Sequence, residues 1–155
     1  MKPPGLVSRR SVLAGAAACT VGTGPRAAGA QELEPIEQAT TPNDSTFIAR
    51  AYRERHEASA RGDQSYGAVV VRDGRILGKA GSRVVRDRDP TSHAEMLAIR
   101  DALKRTGHAD LKGAVLYSSS RACPMCEAAA YFAGIARMVH GRARDDDGAP
   151  QLRRC

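Results

Sequence analysis

The sequence predicts an α/β sandwich, on three observations. The β-branched run at residues 66–71 is followed by Asp73-Gly74 and Ile76-Leu77-Gly78, the pattern of a hairpin with a tight turn. Helical periodicity at residues 92–105 and 124–136 alternates with short apolar segments at residues 114–117 and 138–140. Such an alternation implies parallel pairing of the last two strands, with helices packed on the sheet.

Residues 1–30 contain Lys2, Arg9, Arg10 and Arg26 and no acid. Ser8-Arg9-Arg10-Ser11-Val12-Leu13 leads into a weakly apolar Ala/Gly stretch that ends at Ala28-Gly29-Ala30. This resembles a twin-arginine signal peptide, with cleavage expected after Ala30. The apolar stretch is too short and too weak for a stable membrane anchor. The expected location is the periplasm or the exterior; the alternative is a disordered tail on a cytoplasmic protein. The twin-arginine route carries folded proteins, so a metal would be loaded before transit and would shield its thiolates from oxidation.

Residues 31–43, with Glu, Gln, Thr and two Pro, read as a linker. Asp44-Ser45 offers an N-cap for a helix to about Ala60, with Phe47, Ile48, Ala51, Tyr52 and Ala58 on one face. Gly62-Asp63 ends it, and the hairpin follows. Asp89-Pro90-Thr91 then breaks the chain before a helix from about Ser92 to Arg105, buried through Ala94, Leu97, Ala98 and Leu103. A buried strand at residues 114–117, a helix from Pro124 to about Ala136 and a strand at residues 138–140 complete a domain over residues 44–141. Residues 142–155 read as a short, loose tail.

Composition narrows the function. With four Tyr, two Phe and no Trp, small aliphatic residues must fill the core. The formal charge is +7, but the four basic residues of the leader leave a net of only three on the rest. That is a solubility feature and not a nucleic-acid footprint. Of the four cysteines, Cys19 lies in the leader and Cys155 is the last residue, so no disulfide framework is in place. Cys123 and Cys126 form a C-x-x-C pair, which points to metal or redox chemistry.

His93-Ala94-Glu95 falls in the first turn of one helix, and Cys123-Pro124-Met125-Cys126 opens the next. Each helix follows a strand, so both N-termini are expected at one edge of the sheet. Their dipoles would stabilise thiolates and lower the cysteine pKa. Two thiolates and one imidazole leave a tetrahedral Zn²⁺ with one open position, the catalytic arrangement, in which the metal acidifies water. Glu95 is two residues from a ligand and is placed to move protons. A redox dithiol at the cysteines, and a helix-dipole role for Glu95, are the competing readings.

The H-x-E and C-x-x-C elements together resemble the signature of zinc nucleobase deaminases. Asp89-Pro90-Thr91-Ser92-His93-Ala94-Glu95 and the strand Gly67-Ala68-Val69-Val70-Val71 are most similar to the guanine deaminase and tRNA adenosine deaminase group of the cytidine/deoxycytidylate deaminase-like superfamily. The resemblance covers roughly residues 45–141. It implies a three-layer α/β/α sandwich with a central mixed sheet. It implies zinc ligands His93, Cys123 and Cys126, the proton shuttle Glu95, and a likeness to homodimers. It implies hydrolytic release of ammonia from a purine or pyrimidine bearing an exocyclic amine.

Three positions depart from the pattern: Ala122 replaces Pro, Arg121 stands where Glu is usual, and Ser82 stands where relatives carry a base-binding Asn. Ser82, Arg121 and Ala94 are the candidate substrate contacts. Relatives also continue further beyond the last strand. The expected partner is a free nucleobase or nucleoside, guanine-like, and not a nucleic acid, because an exported protein meets no tRNA. A catalytically degenerate zinc protein and a periplasmic dithiol oxidoreductase are the alternatives.

Overall fold

The computed structural model describes residues 33–152. The signal peptide expected at residues 1–30 and the last three residues lie outside them. The described chain is one compact unit, with the order α1 (Asp44–Ala60), β1 (Gly67–Arg72), β2 (Arg75–Gly81), α2 (Val84–Asp87), α3 (Ala94–Thr106), β3 (Val115–Ser118), α4 (Pro124–Phe132), β4 (Arg137–His140) and β5 (Asp145–Gly148). The strands form one sheet in the order β2-β1-β3-β4-β5. β3 and β4 run parallel and all other neighbours antiparallel. The expected central mixed sheet is present. Among the described residues no helix is long and apolar enough to cross a membrane.

The sheet is covered on both faces, which explains the unbroken apolar run of β1. Val69 and Val71 join Phe47 and Ile48 of α1, Tyr117 and Val139 in one buried cluster. Ala68 and Val70, one residue out of phase, join Ala94, Ala98 and Ala102 of α3, Leu116 and Met138 in the other. Alternate residues of a strand point to opposite faces, so each cluster draws on its own half of the run. Glycine sets the layer spacing. A methyl group at Gly67 would strike the backbone of Ala51 and Arg55, and one at Gly78 the backbone of Ala98 and Ala102. Both helices therefore rest directly on strand backbone.

The Asp73-Gly74 turn has φ of 51° and 72° at its two residues, as a type I′ hairpin requires. Asn43, one residue before the expected cap, closes a capping box with Thr46 at 3.0 and 3.1 Å. Asp44 is otherwise engaged: its carboxylate accepts from the Tyr117 hydroxyl (2.6 Å) and from Arg137 (3.1 Å). Buried Glu54 pairs with Arg50 of its own helix and ties α1 to β2 through Lys79, each at 3.0 Å.

Four readings are corrected. In α3, Ile99 and Ala102 are buried, whereas Leu97 and Leu103 are half-buried. α4 ends at Phe132, because Gly134 takes a left-handed φ of 75° and turns the chain towards β4. Residues 145–148 are a paired edge strand and not loose; Arg137 holds Asp146 at 2.6 Å and offsets the poor strand propensity of three successive acids. Residues 33–43 lack regular structure but act as a strap. The Gln38 amide donates to the Ile76 carbonyl (3.1 Å) and accepts from its N–H (2.8 Å), imitating a peptide on the open edge of β2.

Candidate active site

The turn before α3 aims His93. Asp89 accepts from the Thr91 N–H and hydroxyl, both at 2.8 Å, and from Ser92 at 3.3 Å. These bonds, with Thr91 the largest contributor, hold the Asp89 carboxyl below its ordinary range. His93 and Cys123 are the N-cap residues of α3 and α4, both with extended backbone. Neither side chain caps its own helix. Both are free to point across the gap between the two helix starts.

Three donor atoms meet there. His93 Nδ1 lies 3.7 Å from Cys123 Sγ and 3.6 Å from Cys126 Sγ, and the two sulfurs are 3.6 Å apart. A tetrahedral zinc with bonds of about 2.3 Å to sulfur and 2.0–2.1 Å to nitrogen has ligand–ligand edges of roughly 3.5–3.8 Å. The triangle therefore has the size of one face of a zinc tetrahedron, and this set could hold the ion. Glu95, in the first turn of α3 and 5% exposed, places Oε2 at 3.7 Å from Cys126 Sγ.

The electrostatics suit a cation. Burial first, then the neighbouring Glu95 and Cys123, pushes the Cys126 thiol far above its ordinary range. Without a cation, desolvation of a buried sulfur beside two acidic groups opposes the end-of-helix field that favours its thiolate. Burial likewise raises the Glu95 carboxyl, against its own N–H, His93 and Cys126, which lower it. A dication among these groups removes the conflict.

A cleft of about 550 Å³ opens beside the triangle, lined by His93, Glu95 and Cys123 together with Arg121 and the turn Gln64-Ser65-Tyr66. Arg121, with its side chain 65% exposed, stands at the cleft and faces Asp147 of β5 at 3.4 Å. The other two candidate substrate contacts are not in the lining. Ser82 is fully buried, and its hydroxyl donates to Asp63 at 3.0 Å. Ala94 is fully buried in the core beneath α3. Conversely, the 64–66 turn carried no chemical motif; only its place before β1, next to the C-terminal end of β3, could have pointed to it.

Residues 41–142 match the zinc-binding region of cytidine and deoxycytidylate deaminases. The chain belongs to this family. Within it, the chain is 40% identical over 102 residues to a tRNA-specific adenosine deaminase of Agrobacterium fabrum, covering 66% of each protein. It is 41% identical over 92 residues to the guanine deaminase of Bacillus subtilis, covering 59% of each. The chain thus spans about three-fifths to two-thirds of the length of these relatives. The X-ray structure of Bacillus subtilis guanine deaminase superposes with a TM-score of 0.62 at 38% identity over 64% of both chains. A structure from work on A-to-I editing by tRNA:A34 deaminases gives 0.60 at 40% identity, over 62% of this chain and 70% of the other. His93, Cys123 and Cys126 fit the Zn²⁺ that names the family's region.

Proposed function

We propose that the chain is a hydrolytic deaminase of a free nucleobase or nucleoside, guanine-like, that releases ammonia. The observation that carries this reading is the buried Glu95 carboxyl beside a zinc-sized triangle of donors, with Glu95, His93 and Cys123 lining one cleft. When bound, zinc supplies a Lewis acid that makes water more acidic. Glu95 would carry one proton of the attacking water to the ring nitrogen and then the second to the amine, so that the C–N bond breaks with loss of ammonia. Its burial beside the donor triangle suits it to this work, because a carboxyl shielded from bulk water exchanges its proton with groups in the cleft. Arg121 would donate to a ring carbonyl at the cleft mouth, and Tyr66, 46% exposed, offers a face to a flat base.

The cleft volume lies within the roughly 300–1,000 Å³ of small-molecule sites, which favours a free base or nucleoside. Ammonia release from guanine, adenosine, cytosine and cytidine, with a tRNA anticodon stem-loop as a fifth substrate, decides the matter. Guanine turnover without stem-loop turnover is the expected result. Turnover of the stem-loop alone would replace the free-base reading. Zinc retention with no turnover of any of the five would favour the degenerate relative.

Export and pairing belong to the same proposal. The twin-arginine leader directs the protein outward, so the mature chain should begin at Gln31, and R9K/R10K should hold the precursor in the cytoplasm. A homodimer would cover Phe132, 73% exposed and edge-on to Tyr131 at the end of α4. Light scattering should then give twice the chain mass, reduced to one chain mass by F132D.

A further inference from the structure

A second cavity, of about 510 Å³, lies between α1 and the turn that joins β4 to β5. Its lining sets apolar Ile48 and Tyr52 beside Arg53, Arg142 and Arg144. Glu57, the acid of this lining, leans towards Arg61 at 3.8 Å. The Arg142 guanidinium sits 4.5 Å from the Tyr52 ring centroid, and that of Arg55 sits 5.5 Å from it. Among the described residues neither of these two arginines has a carboxylate partner; Arg55 donates to Ser65 instead. Arg144 donates to the Ser45 hydroxyl at 2.9 Å from a left-handed backbone, φ 60°, which glycine adopts freely and arginine does not. Two guanidinium groups on one ring, beside an arginine with a left-handed backbone, leave this pocket with more positive charge than its one acid, Glu57, offsets.

We propose that this cavity is a binding site, separate from the zinc-side cleft, for a small phosphate monoester that carries a flat ring, the chemistry of a nucleoside monophosphate. Guanidinium forks match phosphate oxygens in pairs; Arg144 supplies one, and Arg53 supplies another by exchanging its exposed 2.8 Å ion pair with Glu37 for the phosphate. The exposed plane of Arg142, backed by Tyr52, supplies the stacking face for the ring. The apolar lining gives the ring a dry contact that a bare phosphate ion would waste. Arg55 connects the two cavities, since Ser65, which it holds at 3.0 Å, lines the zinc-side cleft.

Uridine 5′-monophosphate is the probe, because its ring has no exocyclic amine to lose. Calorimetric titration of the zinc-loaded protein compares it with uridine and with inorganic phosphate. The monophosphate should bind at least about tenfold more tightly than either. R142A/R144A should weaken it about tenfold or more, and R121A, at the other cleft, should leave it within about twofold. R142K/R144K keeps the charge but loses the planar fork, and should weaken binding several-fold. The proposal is overturned if the alanine pair leaves affinity unchanged, if R121A causes the loss, if phosphate binds as well as the monophosphate, or if the lysine pair binds like wild type.

Discussion

His93 and His140 each stand beside two groups able to carry negative charge, and both lie at the same end of the sheet. Ser118 of β3, which leads to Cys123, pairs with His140 of β4, and the next residue, Gly141, donates back to the Ser118 carbonyl at 3.1 Å. At His93 both cysteine sulfurs approach one ring nitrogen, Nδ1, at 3.7 and 3.6 Å. At His140 the acids divide: Asp147 lies 3.1 Å from Nδ1 and Asp145 3.9 Å from Nε2. The two ring nitrogens point apart, so that arrangement cannot gather its donors on one ion. Asp147 is also shared with Arg121. The difference is convergence, and it comes from two helix starts aimed at each other across a strand end, whereas the His140 cluster lies along one edge hairpin.

The largest expected effect tests that contrast directly. C126A should drop zinc from about one ion per chain to near none, while H140A should keep it; elemental analysis of the purified protein reads both. Because a ligand held at 100–1,000 times its Kd stabilises by about 3–4 kcal/mol, C126A should also lower the unfolding free energy by about that much. Equal zinc loss in H140A would erase the distinction between the two clusters.

Next comes Glu95, which separates holding a metal from using it. E95Q preserves shape and should retain zinc, yet lose about 10²–10⁴-fold in ammonia release, the usual worth of a positioned proton carrier. Activity within a few-fold of wild type would leave the buried carboxyl with a purely structural role.

The two clusters were unequally legible in the sequence. His93, Glu95 and the cysteines stand at fixed local spacing at helix starts, and helix starts follow from short-range rules: Pro90 and Pro124 as breakers, Gly62 as a stop. The five-strand sheet was legible up to His140 for the same reason. Asp145–Gly148 was not, because three acids carry no strand signal and only Arg137 and the β4 edge make them one. Gln38 was unreadable as an edge cover, since its function exists only once Ile76 is beside it. Ser82 misled in the opposite direction: a position aligned with a substrate contact turned inward to bond Asp63.

Asp63, just before the 64–66 turn, offers a smaller, pH-dependent test. Partial desolvation would raise its carboxyl, but the Arg86 and Gln64 N–H groups and the Ser82 hydroxyl outweigh this and hold it below its ordinary 3.8. A depressed carboxyl contributes stability that is complete above its unfolded value and is lost as pH falls through the folded one. D63N should therefore lower stability at neutral pH, by less than about 1 kcal/mol because solvent screens the group, and flatten the decline below about pH 4, followed by urea unfolding at several pH values. An unchanged acid slope would show that those hydrogen bonds serve the neutral form equally well.

The smallest effect concerns the side-chain pair Arg121–Asp147, which joins the two clusters. The Arg121–Asp147 pair is solvent-exposed on the arginine side, so it is worth about 0.2–1 kcal/mol. If Arg121 grips a substrate carbonyl, Asp147 competes for the same guanidinium. D147N should then lower KM for guanine by at most about fivefold and leave kcat unchanged, whereas R121A should raise KM. A higher KM in D147N would reverse the assignment: Asp147 would be holding Arg121 in place, and the edge hairpin would be part of the substrate site instead of a rival for it.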